Sequence, residues 1–183
     1  RKSGLKVAKF GGTSLADAAQ VMKVLAIVKA DPQRRIVVVS APGKRNPQDT
    51  KVTDLLIACA EAKLSGGTAD KEIRAIVNRY AEIQKATGVS VQVVKDIEND
   101  LKKRLSMDRS HRGKFIDCLK AAGEDNSARL TAEIFGKNGL DAQYVDPKDA
   151  GLLLSDEFGN ALVLEESYAR LKSLRDRKGV VVF

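Results

Sequence analysis

The stretch Lys6-Val7-Ala8-Lys9-Phe10-Gly11-Gly12-Thr13-Ser14-Leu15 constrains this chain more than any other. A short apolar strand runs into a glycine pair, two hydroxyls and the start of a helix. Glycine tolerates positive φ and lets another group come close to the backbone, so the chain is expected to turn at Gly11-Gly12. Ser14 stands where an N-cap belongs, with Asp17 three residues later as its capping-box partner. The free amides of such a helix start favour an anion, and Lys9 adds a full positive charge beside them. The glycine spacing matches neither a Walker A loop nor a GxGxxG fingerprint. Spacing alone leaves two readings open, an anion seat and a strand–turn–helix with no ligand.

Residues 15–30 carry Val21, Val24, Leu25 and Val28 on one helical face, with Pro32 just past the end. Ile36-Val37-Val38-Val39 is a continuous β-branched run, which suits a parallel strand covered on both faces. Strand, helix and strand at this spacing make a βαβ unit, and ligands of such sheets bind at the carboxyl ends of the strands. Lys9 to Gly12 and Ser40 to Gly43 are expected at that end. Residues 42–51 hold two prolines and a glycine and read as an irregular, solvated loop with Lys44, Arg45 and Lys51 facing water. Thr53 is the expected cap of a helix to about residue 63.

Helical periodicity then dominates residues 69–122, in stripes such as Ile73, Ile76, Val77, Tyr80, Ile83 and Val94, Ile97, Leu101, Leu105. This reads as a helical insertion of about 65–122 within one domain over residues 1–183. Lys102-Lys103-Arg104 reads as a solvated helix face, and the single histidine, His111, is given no role. Residues 123–127 are expected to break the helical run and open a new helix, placing Glu124 in a first turn favoured by the dipole. A strand over Leu140–Val145, a hairpin around residues 156–160, a helix over about 165–176 and a strand from Val180 complete the reading. The fold class is α/β, a three-layer αβα sandwich on a mainly parallel sheet. A chain that stops in a buried strand reads as truncated, because domain boundaries favour exposed linkers.

Composition narrows the function. The chain of 183 residues is 43% hydrophobic and 31% charged, as a globular domain with a sizeable core should be. No apolar run approaches the roughly 18 residues of a membrane span. Cys59 and Cys118 are far apart and lack metal-ligand spacing, which suits buried thiols in a reducing cytoplasm, and no metal site is expected. Residues 1–51 hold eleven Lys and Arg against three acids, and the remainder balances. The net charge of +8 is thus expected around the glycine turn and the loop after the second strand, which suits an anionic ligand. Nucleic acid is the rival partner. Only 4% of residues are aromatic, and no helix-turn-helix, zinc-finger or RNP pattern occurs, so a small phosphorylated ligand is preferred.

Three motifs together resemble the aspartokinases of the amino-acid kinase superfamily. They are Lys9-Phe10-Gly11-Gly12-Thr13-Ser14, then Ser40-Ala41-Pro42-Gly43-Lys44 with Thr53-Asp54-Leu55-Leu56, then Gly123-Glu124 with Ser127-Ala128 and Leu130. The chain departs from the compact second motif by extra residues between Lys44 and Thr53. The resemblance implies ATP with Mg²⁺ and transfer of the γ-phosphoryl group to the side-chain carboxylate of L-aspartate, opening the aspartate-family branch of amino-acid biosynthesis. It implies Lys9 as the catalytic, phosphate-neutralising residue. Gly11, Gly12, Thr13 and Ser14 would hold nucleotide phosphate, and Ser40, Thr53 and Glu124 would hold the amino acid. It implies a cytoplasmic, homo-oligomeric parent of which this is the front part of the kinase domain, inactive by itself without the nucleotide segment. Other carboxylate kinases of the superfamily, and a non-catalytic basic phosphate- or nucleic-acid-binding module, are the alternatives.

Overall fold

The structure is a computed structural model and describes residues 4–157 and 159–183. Arg1, Lys2, Ser3 and Phe158, the last within the expected hairpin, lie outside the described residues. Four parallel strands form one sheet: β1 (Lys6–Phe10), β2 (Arg34–Val39), β3 (Ala142–Tyr144) and β4 (Val180–Val182), in the order β1-β2-β4-β3. The last strand of the chain is therefore inserted centrally. The helices are α1 (Ala18–Lys29), α2 (Val52–Leu64), α3 (Asp70–Thr87), α4 (Gln92–Leu105), α5 (Arg112–Lys137) and α6 (Glu166–Leu171). The fold class read from the sequence, a parallel sheet flanked by helices, is the one observed.

Side chains alternate across a strand, so the sheet has two unlike faces. Val37, Val39, Val180 and Val182 point into the main core, which continues through α1, α2, α3, α4 and α5. Ile36, Val181 and Phe183 point the other way, into a small cluster with Val145, Ala150, Leu171 and Leu174. Among the described residues that second layer is α6, a 3₁₀ turn over Lys172–Asp176 and the segment after β3 that carries Val145 and Ala150, and it stops short of β1, where Val7 is 63% exposed. The apolar run of β2 is accordingly buried on one face and half-covered on the other, not enclosed on both.

The stripe on α1 is buried as its spacing predicts, and so is that on α4. On α3, Ile73, Ile76, Tyr80 and Ile83 are buried, but so is Arg79, which periodicity did not foresee. Three local expectations are corrected. Asp17, not Ser14, caps α1, its carboxylate accepting from the Gln20 amide at 2.9 Å, while Gly12–Leu15 forms a separate 3₁₀ turn. Thr53 is the second residue of α2, after Lys51 as N-cap.

The third correction concerns α5, which runs unbroken through residues 123–127. Gly123 is no breaker. A Cβ there would lie 2.7 Å from Ala41 Cβ and 2.9 Å from Leu56 Cδ1, so the glycine lets α5 press against α2 and the end of β2. Tyr80 Oη donates to the Gly123 carbonyl at 2.9 Å and locks α3 to the same point.

The carboxyl ends of β1 and β2 meet backbone to backbone. The Gly43 amide donates to the Gly12 carbonyl at 2.8 Å. A Cβ on Gly43 would lie 2.7 Å from the Gly12 carbonyl carbon and 2.9 Å from the Thr13 nitrogen, and backbone cannot move aside cheaply. Gly43→Ala should therefore cost about 1–3 kcal/mol, read as a lower urea midpoint with an unchanged slope. An unchanged midpoint would contradict this packing.

Candidate functional site

At the carboxyl end of β1 the chain leaves the sheet through Gly11, in extended conformation (φ −77°, ψ 172°), and enters the 3₁₀ turn. Ser14 donates its amide to the Gly11 carbonyl at 3.0 Å. Among the described backbone hydrogen bonds, none uses the amides of Gly11, Gly12 or Thr13 as donors. Gly11 has no atom within 4 Å of where a Cβ would stand, whereas Gly12 is packed against Ala41 and Gly43. Gly12 thus serves the protein's own packing, and Gly11 leaves a surface that another molecule can approach.

Beside this turn lies an open cleft of about 510 Å³. Lys9 from β1, Ser40 from the end of β2 and Glu124 from mid-α5 all line it, with Asp125 next to Glu124. Val7, Ile36 and Val38 supply apolar walls from the thinly covered sheet face, and Leu171 supplies one from α6. The register explains Lys9: it pairs with Val38, and alternation sends both to this face and Phe10 to the core. Glu124 arrives from α5 because Gly123 admits the helix to the strand ends. A larger groove, of about 780 Å³, runs between α4, α5 and the edge of β3 past Arg129 and Tyr144. It contains none of the residues singled out from the sequence.

The cleft carries opposed charges. Burial raises the Glu124 carboxyl above its ordinary pKa and the Asp125 charge adds to that, while Lys9 and Lys120 pull it back. Asp125 is raised too, chiefly by burial, against the pull of Arg104. Arg104 Nη2 donates to Asp125 at 2.6 Å and Nε to Asp100 at 2.9 Å, and Asn126 also donates to Asp100. This too corrects the sequence reading, since Arg104 is 15% exposed and paired twice, not part of a solvated face.

Of the residues named from the sequence, Lys9, Ser40 and Glu124 meet in one cleft. Gly11, Gly12, Thr13 and Ser14 form the turn that begins two residues after Lys9, and none of them is among the residues lining the cleft. Thr53 is half-buried in the first turn of α2 and is not among the residues lining the cleft. Asp125 was missed, although its place beside Glu124 was the available signal. His111 serves as N-cap of α5, accepting from the Lys114 amide through Nδ1 at 3.2 Å.

Among the described residues, the cations of residues 4–51 do not all converge on the turn. Lys29 donates to the Asn138 carbonyl, Arg34 to Ile27 and Arg35 to Gly179 and Arg177, all at the amino end of the sheet. Lys6 pairs with Asp31 at 2.7 Å at that same end. Arg45 is taken up by Asp49, its Nε and Nη2 donating to the two carboxylate oxygens at 2.8 and 2.9 Å, and it also reaches Glu82. The loop over residues 42–51 is thus pinned, and the uneven charge of the sequence is spread over both ends of the molecule. Among the described residues no three His, Cys, Asp or Glu side chains are placed to hold a metal ion, and no helix is long and apolar enough to cross a membrane.

Comparison with known proteins follows this geometry. The amino acid kinase family is matched over residues 4–183. Aspartokinase 3 of Bacillus subtilis is 50% identical over 179 residues, which are 98% of this chain and 39% of that protein. Aspartate kinase of Clostridium acetobutylicum superposes with a TM-score of 0.76 at 28% identity, over 96% of this chain and 37% of that one. Aspartokinase III of Escherichia coli, solved in complex with aspartate and ADP, gives 0.75 at 28% identity over 97% and 39%. The chain spans about two fifths of the length of these relatives. A match over nearly every residue, with the same fold, makes this chain a member of the amino acid kinase family.

Proposed function

We propose that this chain is the phosphate- and substrate-gripping part of an aspartokinase. The full protein would transfer the γ-phosphoryl group of ATP to the side-chain carboxylate of L-aspartate, giving 4-phospho-L-aspartate. The observation that carries the reading is the meeting of Lys9, Ser40 and Glu124, from three distant segments, in one cleft at the carboxyl ends of parallel strands. The aspartate and ADP of the E. coli relative supply the ligand classes.

In this reading the amides of Gly11 to Thr13 and the hydroxyls of Thr13 and Ser14 face nucleotide phosphate. Lys9 neutralises the transferring group. The acceptor carboxylate is already ionised at neutral pH, so no strong base is required. Catalysis then rests on alignment and charge neutralisation. Glu124 offers a carboxylate to the ammonium of the amino acid, and Ser40 a hydroxyl to its polar groups. Thr53 is kept as a substrate contact only through rearrangement of the α2 start. Mg²⁺ would ride on the nucleotide phosphates, as this ion does in sites without an all-protein cage. By the same resemblance the full enzyme is cytoplasmic and self-associating, and this chain alone is inactive, being about two fifths of its relatives' length.

In a full-length aspartokinase carrying this sequence, Lys9→Ala should lower turnover roughly 100-fold or more, measured as aspartate-dependent ADP release. Turnover equal to the parent's would remove Lys9 from the mechanism. Offering aspartate, glutamate and N-acetylglutamate in turn tests the acceptor, and preference for either of the latter two would move the protein to another branch of the family.

Glu124 gives a pH-dependent expectation. Its folded pKa is raised, chiefly by burial. On raising the pH the unfolded chain releases this proton first, so stability falls until pH passes the folded value. Because Glu124 keeps an exposed surface that water screens, Glu124→Gln should be only slightly more stable than the parent at about pH 7, with the difference vanishing near about pH 3. Urea unfolding at the two pH values checks this, and a difference independent of pH would contradict it.

A further inference from the structure

Arg79 lies on the core-facing stripe of α3 among Ile76, Tyr80 and Ile83 and is 4% exposed. A buried guanidinium costs several kcal/mol unless it is paired and hydrogen-bonded. Here nearly every bond leads to one of two loops. Nη1 donates to the Thr50 carbonyl at 2.8 Å and faces the Asp49 carboxylate at 3.2 Å. Nη2 donates to the Gly43 carbonyl at 2.6 Å and, at longer range, to the Ala16 carbonyl at 3.4 Å. Nε is buried without a partner.

The acceptors matter more than their number. Ala16 closes the 3₁₀ turn that presents Gly11 to Thr13, and Gly43 holds Gly12 through its own amide. Thr50 and Asp49 end the loop that follows β2. One planar fork thus spans both walls at the carboxyl ends of β1 and β2. The circuit also closes on itself. Asp49 is gripped by Arg45, which reaches Glu82, and Glu82 lies three residues beyond Arg79 on the same helix. A lysine could keep the charge, but its one ammonium lacks the fork that reaches Thr50 and Asp49 through Nη1 while Nη2 holds Gly43 and Ala16.

We propose that Arg79 is a positioning residue that holds the Gly11–Thr13 turn and the 42–51 loop in the geometry that receives phosphate. It rests on the phosphate-binding reading above and extends it, since Arg79 is not among the residues lining the cleft. The Asp49–Arg45–Glu82 chain fixes the outer end of the clamp.

The test uses the 183-residue chain with inorganic tripolyphosphate as probe, titrated calorimetrically, together with amide hydrogen exchange. In Arg79→Lys, exchange over residues 11–14 and 43–51 should quicken about tenfold or more while α4 keeps its protection. Tripolyphosphate should bind about tenfold more weakly. Arg45→Ala, at the surface end, should loosen 43–51 and weaken tripolyphosphate with an unchanged unfolding midpoint. If Arg79→Lys does not fold, Arg45→Ala decides, and no change in either of its readouts overturns the proposal. A folded Arg79→Lys that binds tripolyphosphate as the parent does, or whose exchange quickens evenly everywhere, also overturns it. A parent chain that binds no tripolyphosphate removes the phosphate reading and the positioning role with it, whereas equal binding by parent and variant removes the positioning role alone.

Discussion

Two strand ends that touch through bare backbone set the geometry of this molecule. Gly12 and Gly43 sit so close that no side chain fits between them, and one hydrogen bond, from the Gly43 amide to the Gly12 carbonyl, joins them. That contact draws the turn after β1 and the loop after β2 together. It also fixes where Lys9 and Ser40 stand, because each lies within a few residues of the junction. Gly123 does the equivalent work for the third segment by letting α5 lean on Ala41 and Leu56. Three glycines in separate segments therefore assemble the cleft by absence of side chain rather than by left-handed backbone.

The cleft itself is poorly satisfied. Desolvation works against the charge of Glu124, and the Gly11 to Thr13 amides have no donor role among the described backbone bonds. In the core Arg79 Nε and Asn126 Oδ1 lack partners, but other buried polar groups are answered. Arg104 meets two carboxylates, and Tyr80 gives its hydroxyl to a carbonyl. Unmet polarity gathered at the carboxyl ends of parallel strands is what a ligand site offers before its ligand arrives. In the proposed reading, nucleotide phosphate and the ammonium of an amino acid complete it.

Much of this was legible in the residue order. The stripe Val21, Val24, Leu25, Val28 and the Gly-Gly turn depend on neighbours three or four residues apart, and periodicity reports such neighbours well. The resemblance carried by the three short motifs pointed at Lys9, Ser40 and Glu124, which the fold then gathered. What failed was what depends on distant partners. Arg79 and Arg104 look like solvated cations until a loop carbonyl or a carboxylate from another element arrives. Gly123 looks like a helix breaker until Ala41 and Leu56 are seen against it. The cations of residues 1–51 seemed to crowd the glycine turn because sequence distance was read as distance in space. In the sheet, Lys6, Arg34 and Arg35 lie at the opposite end from Gly11.

The central claim is that the turn after β1 and the cleft beside it receive phosphate. Amide chemical-shift mapping of the ¹⁵N-labelled chain during titration with ADP and Mg²⁺ tests it most directly. The account predicts shifts that saturate and cluster at Lys9 to Ser14, with Ser40 and Glu124 responding. Shifts confined to Lys29, Arg34 and Arg35, or to the groove beside Arg129 and Tyr144, would contradict it.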